Sequence, residues 1–254
     1  MTELAGRVAI VTGSARNIGR AIALALADAG AAVVVHGGAP GAEADATLAD
    51  VRAKGVKAEL VFGDAADPAT AAALVAAATE NLGALDIVVS NAAARSNIPF
   101  QKMPRADFER IVAVAFGGTY NLVQAAVPAL IAGAENGRKG FGRIIGLGGM
   151  HATKGAAGRS HVMAAKAGVA ALLRGLALDL APWGITANIV APGAIDTVRP
   201  ASAGTVPAKH DPIPLGRKGR PEDIAAAVRF FCSPGAEWIT GQTLHVNGGE
   251  YLNL

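Results

Sequence analysis

The chain has 254 residues, of which 52% are hydrophobic, and its 23 Lys+Arg stand against 20 Asp+Glu for a net charge of +3. This length and composition suit one α/β domain, or at most two small ones. The single cysteine, Cys232, excludes an internal disulfide and a cysteine-based zinc site, and it favours a reducing, cytoplasmic location.

The sequence disfavours membrane insertion and nucleic-acid binding. The first residues lack the basic segment and the long apolar stretch of a signal peptide. No run of about 18 uncharged apolar residues occurs, so we predict no membrane-spanning segment. The two densest basic stretches, 138–143 and 217–220, are too short to indicate a nucleic-acid partner. The expected partner is therefore a small-molecule substrate.

Short β-branched runs alternate with long, alanine-rich helical stretches along the chain. The predicted strands cover 7–12, 32–36, 57–62, 85–90, 143–147, 185–190 and 243–246. The predicted helices cover 18–29, 41–54, 68–82, 105–132, 160–182 and 221–232. Strands that are apolar throughout and separated by helices indicate a parallel sheet covered on both faces. We therefore predict an α/β fold with one Rossmann-like, doubly wound parallel sheet of about seven strands, helices on both faces, and a single domain over residues 1–254.

Two stretches depart from this alternation. The helix predicted at 160–182 has few polar side chains after its first turn, which indicates a contact with another subunit as well as with the sheet. We therefore expect a homo-oligomer, either a dimer or a tetramer. The segment 194–215 contains four prolines and has no clear periodicity, which predicts a substrate lid, with a surface excursion as the alternative.

A glycine-containing loop at 12–19 lies directly between the first predicted strand and the first predicted helix. Gly13 and Gly19 let the backbone approach a pyrophosphate, and the start of the helix supplies free N–H groups and the positive end of its dipole. The sequence therefore predicts a nucleotide-binding site at this loop.

This loop and several later motifs resemble the short-chain dehydrogenase/reductase family, and the resemblance runs from residue 6 to the C-terminus. The loop is similar to the family's TGxxxGxG fingerprint, with Asn17 at the middle glycine, and 192–197 matches its PGxxxT motif. Further matches are 90–93, which resembles the NNAG motif, and the segments 214–217, 221–224 and 239–249. The resemblance implies a dinucleotide site formed by Gly13, Ser14, Arg16, Asn17, Ile18, Gly19, Asp64, Asn91, Lys166, Pro192, Gly193 and Thr197.

The choice between the two nicotinamide dinucleotides depends on the end of the second strand and on Arg16. His36, Gly37 and Gly38 offer no acidic side chain to hold the ribose 2′-hydroxyl of NAD. Arg16 lies where members of this family that prefer NADP place a cation against the 2′-phosphate, and a solvent-facing Arg16 is the alternative. NADP(H) is therefore favoured over NAD(H).

The catalytic part of the family pattern is incomplete in this sequence. Members of the family use a tyrosine, a lysine four residues later, a serine and an asparagine to move the proton in carbonyl reduction. The alignment gives Lys166 at the lysine, Val162 at the tyrosine, Gly149 at the serine and Ala115 at the asparagine. Both tyrosines of the chain lie outside the expected position.

Histidine is the remaining side chain that can move protons near neutral pH. His151 follows the fifth predicted strand, where family members line the substrate pocket, and it is the candidate replacement for the missing acid beside Lys166. His161, expected to point aside, and His210, in the predicted lid, are weaker alternatives, and His36 is expected near the adenosine. We predict no metal site.

Three functions fit these observations. The first is an NADP(H)-dependent oxidoreductase that acts on a small carbonyl, enone or alcohol without the serine–tyrosine pair. The second is a non-redox enzyme, such as a lyase or isomerase, in the inherited pocket. The third is a catalytically silent nucleotide-binding protein that regulates or stabilises an active relative. The first is slightly favoured, because the cofactor half of the pattern is largely intact and the lid implies a ligand.

Overall fold

The computed structural model describes residues 2–138, 140–198 and 212–252. Seven parallel strands form one central sheet in this part of the chain. The strands are β1 (Val8–Val11), β2 (Ala32–Gly37), β3 (Ala58–Phe62), β4 (Ile87–Ser90), β5 (Gly142–Leu147), β6 (Ile185–Pro192) and β7 (Thr243–Val246). Their order is β3-β2-β1-β4-β5-β6-β7, and every neighbouring pair is parallel. The predicted doubly wound sheet is confirmed.

Helices cover both faces of this sheet. They are α1 (Asn17–Asp28), α2 (Ala42–Arg52), α3 (Pro68–Ala76), α4 (Arg105–Val112), α5 (Gly118–Gly133), α6 (His151–Lys154), α7 (Ser160–Asp179) and α8 (Pro221–Cys232). Pro68 begins α3, and the Asp67 carboxylate before it accepts a hydrogen bond of 2.9 Å from the Ala69 N–H, which caps the helix. The single helix predicted at 105–132 is α4 and α5 joined by a π-helical turn at Ala113–Gly117.

The side chains of the strands pack alternately into two cores. On β1, Ala9 and Val11 face the layer of α1 and α8. Val8 and Ile10 on the same strand face the layer of α5 and α7. All four residues are buried. Strands covered on both faces are apolar at successive positions, which explains the continuous apolar runs in the sequence.

Two helical stretches, Arg105–Gly137 and Ser160–Asp179, are long and apolar enough to cross a membrane by length and composition alone. Both lie against the sheet in this fold. Leu122 of α5 and Leu173 of α7 are buried in the core on that face. The apolar character of both stretches therefore serves packing on the sheet.

The loops that carry the predicted site follow the carboxyl ends of four strands. Gly13 follows β1, Asn91 follows β4, Gly149 follows β5 and Gly193 follows β6. The strand order reverses between β1 and β4, so these loops meet at the switch point of the sheet. Ligands of open α/β sheets bind in the crevice at this point.

Only the two ends of the predicted lid, 194–215, belong to the described residues, and His210 lies outside them. The first end is joined to the segment before α8, because the Asp196 N–H donates to the Gly219 carbonyl at 2.8 Å. The role of the segment as a lid stays a prediction.

Candidate active site

Two adjoining cavities open at the carboxyl edge of the sheet. The first cavity has a volume of about 670 Å³ and lies between the loops that follow β1 and β4. The second cavity has a volume of about 310 Å³ and lies between the loops that follow β5 and β6 and the start of α7. Both volumes are within the range of ligand-binding clefts. Ile18, Arg95 and Thr197 line both cavities, so the two spaces share a wall.

The glycine loop beside the first cavity is tightly packed. Gly13 has a φ of +61°, and a Cβ on Gly19 would lie 2.2 Å from the Gly13 carbonyl oxygen. Asn17 has a φ of +51°, a left-handed conformation that asparagine visits more readily than most side chains. The glycine loop therefore keeps its turn, although Asn17 stands where the family fingerprint has its middle glycine.

The Asn17 side chain makes a contact that the sequence did not reveal. Its Nδ2 donates to the Val198 carbonyl at 2.9 Å, and its Oδ1 accepts from the Val198 N–H at 3.1 Å. These bonds join the start of α1 to the first end of the predicted lid, 181 residues farther along the chain. No local sequence pattern indicates a contact over this distance.

Ser14 and His36 form a buried support beneath the glycine loop. The Ser14 hydroxyl donates to the Val11 carbonyl at 2.7 Å and accepts from the His36 N–H at 2.9 Å. The His36 Nδ1 accepts from the Gly13 N–H at 2.9 Å, and its Nε2 lies 3.0 Å from the Gly63 carbonyl oxygen. Nε2 therefore carries the proton, and burial lowers the pKa of this neutral imidazole. Ser14, which the resemblance assigned to the cofactor, is buried and shapes the loop from behind.

Asn91 fastens the loop after β4 to the glycine loop. Its Nδ2 donates to the carbonyl oxygens of Thr12 and Gly13 at 2.9 and 3.0 Å. The Thr12 hydroxyl accepts from the N–H groups of Asn91 and Ala92. Asn91 therefore borders the first cavity and also fixes the shape of its wall.

The end of β2 and the loop after β3 form the far end of the first cavity. Gly37, Gly38 and Asp64 line it. The Asp64 carboxylate accepts a hydrogen bond of 2.6 Å from Nη1 of Arg110. This hydrogen bond is the main reason that the pKa of Asp64 lies below its usual value. Asp64 is therefore a carboxylate at neutral pH, with part of its acceptor capacity used by Arg110.

Arg16 lines the same cavity and is paired with a carboxylate. Its Nη1 lies 3.3 Å from Oε2 of Glu43, and the two side chains are 45% and 61% exposed. Ion pairs that are this exposed contribute little to stability. Arg16 can therefore exchange the Glu43 carboxylate for another anion at small cost.

The start of α1 is suited to an anion. Asn17, Ile18 and Gly19 begin the helix and line the first cavity. The first turn contains no acidic residue, and the Arg16 side chain before it makes no capping hydrogen bond. The first N–H groups of the helix are thus left without a side-chain cap at the cavity, which suits a pyrophosphate. The residues of this cavity fit a dinucleotide.

Lys166 lines the second cavity and is half-buried. Its Nζ donates to the Leu147 carbonyl at 2.5 Å. Burial, and then the nearby charge of Arg95, lowers the pKa of Lys166 to about 7. A lysine with this pKa can take up and release a proton at neutral pH.

The residues aligned with the other catalytic positions of the family have apolar or open surroundings. Val162 lines the second cavity one helical turn before Lys166. Ala115 is buried in a small apolar cluster that also contains Ala165, and Val162 packs against this cluster. Gly149 lines the cavity too, and a Cβ on it would have no neighbour within 4 Å. The site therefore has room for a side chain at Gly149.

The remaining predicted residues divide between the cavity and the core. His151, Pro192 and Gly193 line the second cavity. His161 is buried, and its Nε2 lies 2.7 Å from the Ser96 hydroxyl oxygen. The expectation that His161 points aside agrees with this contact.

Comparisons with known proteins give relatives over nearly the whole chain. A family model described as enoyl-(acyl carrier protein) reductase matches residues 13–250. The 3-oxoacyl-(acyl-carrier-protein) reductase FabG of Staphylococcus aureus is 35% identical over 246 residues, which are 96% of this chain and 98% of that protein. The L-rhamnose 1-dehydrogenase (NAD(P)(+)) of Sphingomonas sp. is 36% identical over 259 residues and covers 100% of both chains. A short chain dehydrogenase from Burkholderia cenocepacia, with a crystal structure in complex with NADP, is 34% identical in sequence to this chain. The match covers 98% of this chain and 99% of that chain, with a TM-score of 0.88.

Proposed function

The chain belongs to the short-chain dehydrogenase/reductase family, and on this premise we propose that it is an NADP(H)-dependent oxidoreductase with an atypical proton-transfer site. Its substrate is a small carbonyl compound, an enone or the corresponding alcohol. The observation that carries the proposal is the wall shared by a cavity that fits a dinucleotide and a second cavity of about 310 Å³. A substrate in the second cavity is thereby held beside the cofactor, which is the main requirement of hydride transfer.

In this proposal the first cavity holds the dinucleotide. The backbone of Gly13 and Gly19 and the start of α1 hold the pyrophosphate. The other residues assigned to the cofactor are Arg16, Asn17, Ile18, Asp64, Asn91, Lys166, Pro192, Gly193 and Thr197. Ser14 contributes only by supporting the loop. When bound, NADPH supplies the hydride that reduces the substrate.

The preference for NADP(H) over NAD(H) rests on charge at the far end of the first cavity. Gly37 and Gly38 bring no carboxylate there, and Arg16 offers a guanidinium that can donate two parallel hydrogen bonds to a 2′-phosphate. The Burkholderia relative in complex with NADP supports this preference. The name of the Sphingomonas relative includes NAD(P)(+), so NAD(H) is the alternative cofactor to test.

The proton comes from a group other than a tyrosine. Ala115, Gly149 and Val162 occupy the positions of the family's asparagine, serine and tyrosine, and none of these side chains can donate or accept a proton. Lys166 keeps a proton at Nζ that it can release near pH 7. His151 lines the same cavity and is the second candidate for this step.

The test combines binding with a gain of function. NADPH and NADH are titrated into the protein by fluorescence, and ketone reduction is then measured for the wild type and for Val162→Tyr with Gly149→Ser. A tyrosine acid should raise the rate of ketone reduction by about 10²–10⁴-fold. In the wild type, His151→Ala and Lys166→Met each remove one candidate donor. The donor is identified by the variant that loses activity while it keeps the wild-type Kd for NADPH, because Lys166 is also assigned to the cofactor. Failure of both nucleotides to bind contradicts the cofactor assignment.

A catalytically silent nucleotide-binding protein is the second candidate. The apolar cluster of Ala115 and Val162 favours it, because this cluster has no group that could activate a carbonyl. Tight NADPH binding without oxidation of NADPH over a panel of ketones, enones and imines would support this candidate. Appearance of reductase activity only in the Val162→Tyr, Gly149→Ser double variant would support it further.

We also propose that the protein is a homo-oligomer, either a dimer or a tetramer. One side of α7 packs on the sheet through Val169 and Leu173, whereas Leu178 of the same helix is 78% exposed. Trp238 is 96% exposed. Large apolar side chains in such positions are commonly covered by another subunit. Light scattering should give two or four times the chain mass of 25.4 kDa, and a monomer would contradict the proposal.

A further inference from the structure

Asn17 and Val198 join two segments that follow strands far apart in the sheet. Asn17 is the first residue of α1, which follows β1, and Val198 lies in the segment after β6. In the strand order, β4 and β5 lie between β1 and β6. Neighbouring strands are about 4.8 Å apart, so β1 and β6 are separated by roughly 14 Å. The two segments therefore meet across the carboxyl ends of two intervening strands.

The contact consists of two hydrogen bonds between the Asn17 side chain and the Val198 backbone, which we call the clasp. Nδ2 of Asn17 donates to the Val198 carbonyl at 2.9 Å, and Oδ1 accepts from the Val198 N–H at 3.1 Å. One side-chain amide thus satisfies both backbone groups of Val198, as a neighbouring strand would. Val198 is 75% exposed, so the clasp can open without disturbing the core.

Asn17 adopts an unfavourable backbone conformation at this position. Its φ is +51°, and it is the only residue other than glycine with a positive φ in the part of the chain that the structure describes. Glycine, which the family fingerprint has here, adopts such angles without a steric cost. Glycine cannot make the clasp, whereas both side-chain hydrogen bonds of Asn17 go to Val198. The asparagine therefore adds a long-range contact to a turn that would form without it.

The clasp lies at the junction of the two cavities. Both of its residues line the first cavity. Their chain neighbours, Ile18 and Thr197, line both cavities. The loops that follow the two intervening strands also border these spaces, with Asn91 at the first cavity and Gly149 at the second. The clasp is therefore placed where a ligand that extends from one cavity into the other has to pass.

The segment that carries Val198 is anchored just before the clasp. The Asp196 N–H donates to the Gly219 carbonyl at 2.8 Å, shortly before α8. Only Thr197 lies between this anchor and Val198. The clasp can therefore open through a movement of one or two residues, while the chain up to Asp196 stays in place.

We propose, resting on the dinucleotide site proposed above, that the clasp is a gate through which the dinucleotide enters and leaves. In this proposal NADPH extends from Gly13 in the first cavity to Lys166 in the second and passes beneath the clasp. The two hydrogen bonds open for entry, close over the bound nucleotide and open again for release. Because the Asn17 amide bonds to Val198 in the free and the bound protein alike, the clasp slows both steps and leaves the Kd nearly unchanged.

The test compares the kinetics of NADPH binding to the wild type and to Asn17→Gly by stopped-flow fluorescence. Glycine fits the φ of +51° and removes the clasp, so the variant should keep the turn. Loss of two hydrogen bonds should raise both kon and koff by about fivefold to a hundredfold. The Kd should stay within about threefold of the wild-type value. Asn136→Gly, at an exposed asparagine outside both cavities, is the matched control and should change neither rate.

Amide hydrogen exchange of the nucleotide-free protein gives a second measure that needs no ligand. The Val198 N–H is protected while the clasp is closed, so its protection factor reports how much of the time the clasp is open. Asn17→Gly should abolish this protection. If opening is fast compared with binding, the protection factor of the wild type should equal the ratio of the two kon values.

Unchanged rates in Asn17→Gly, or a Val198 N–H without protection in the wild type, would overturn the gate. An increase in koff alone, with the Kd raised in proportion, would also overturn it, because the Asn17 amide would then be a direct ligand of the nucleotide. If NADPH binds to neither protein, the proposed cofactor fails and the gate fails with it. Binding to both proteins at equal rates refutes the gate and leaves the proposed function standing.

Discussion

His36→Leu should destabilise the protein and weaken the nucleotide loop. In the wild type the imidazole accepts the Gly13 N–H at 2.9 Å and bonds the Gly63 carbonyl at 3.0 Å, and it is 2% exposed. Leucine has a similar volume but no polar atom, so it leaves the half-buried Gly13 N–H and Gly63 carbonyl without their hydrogen-bond partner. Each such group costs about 1–3 kcal/mol, which gives a loss of about 2–6 kcal/mol in the free energy of unfolding. For a chain of this size, that corresponds to a fall of roughly 5–20 °C in Tm.

The loss should depend on pH in a defined direction. Burial lowers the pKa of His36 below its usual 6.5, so the unfolded chain takes up this proton before the folded chain does. The stabilisation by neutral His36 is fully present above pH 6.5 and is lost as the pH falls through the lower, folded pKa. The difference in stability between the wild type and His36→Leu should therefore be largest near pH 8 and smaller near pH 5. Burial also lowers the pKa values of His161 and His245, but these histidines are common to both proteins and cancel in the difference.

Urea unfolding of both proteins at pH 8 and at pH 5 measures this difference. His245→Leu is the matched control, because His245 is only half-buried and no hydrogen bond to its buried Nδ1 is found among the described residues. This control should lose less than about 1 kcal/mol. If the difference in free energy of unfolding between the wild type and His36→Leu is the same at both pH values, the assignment of His36 as a neutral imidazole with two hydrogen bonds is refuted. NADPH titration of the variant should also give a higher Kd, because Gly13 loses its support.

Two further predictions concern charge. Glu43→Gln should free Arg16 and lower the Kd for NADPH but not for NADH, whereas Arg16→Gln should raise the Kd for NADPH by about tenfold or more. Fluorescence titration checks both variants, and equal effects on the two nucleotides would contradict a contact between Arg16 and the 2′-phosphate. Arg143→Met should leave the free energy of unfolding unchanged or raise it by about 1–4 kcal/mol, because Arg143 is fully buried and its Nε and Nη2 have no hydrogen-bond partner in the described part of the chain. A marked loss of stability in urea unfolding would mean that the Nη1 hydrogen bonds to the Gly140 and Gly142 carbonyls and the stacking on Phe141 outweigh the cost of burying the charge of Arg143.

The strands of the fold could be predicted closely from the sequence. Apolar, β-branched runs are required where both faces of a strand are covered, and the seven predicted strands differ from the observed ones by at most two residues at either end. The fourth strand begins at Ile87, after Asp86. The Asp86 carboxylate accepts hydrogen bonds from Arg7 and from the Val8 N–H, and this long-range contact fixes the strand end. The π-helical turn at Ala113–Gly117 was not predicted, because it keeps the apolar pattern of an α-helix.

The candidate site was predictable only where local geometry dictates the residue type. The shape of the glycine loop constrains Gly13 and Gly19, so their pattern was informative. Ser14 has the same position in the motif but turns inward, because its hydroxyl is needed between Val11 and His36. The bond between Asn17 and Val198 spans 181 residues and leaves no local signal. Side-chain direction and long-range pairing thus required the folded structure.

The wall shared by the two cavities makes their ligands thermodynamically coupled. Ile18, Arg95 and Thr197 border both spaces, so the occupant of one space changes the surface that the other ligand meets. Coupling of this kind is reciprocal, and the factor by which NADP⁺ changes the Kd of a substrate must equal the factor by which the substrate changes the Kd of NADP⁺. The four dissociation constants therefore form a closed cycle, in which any three determine the fourth.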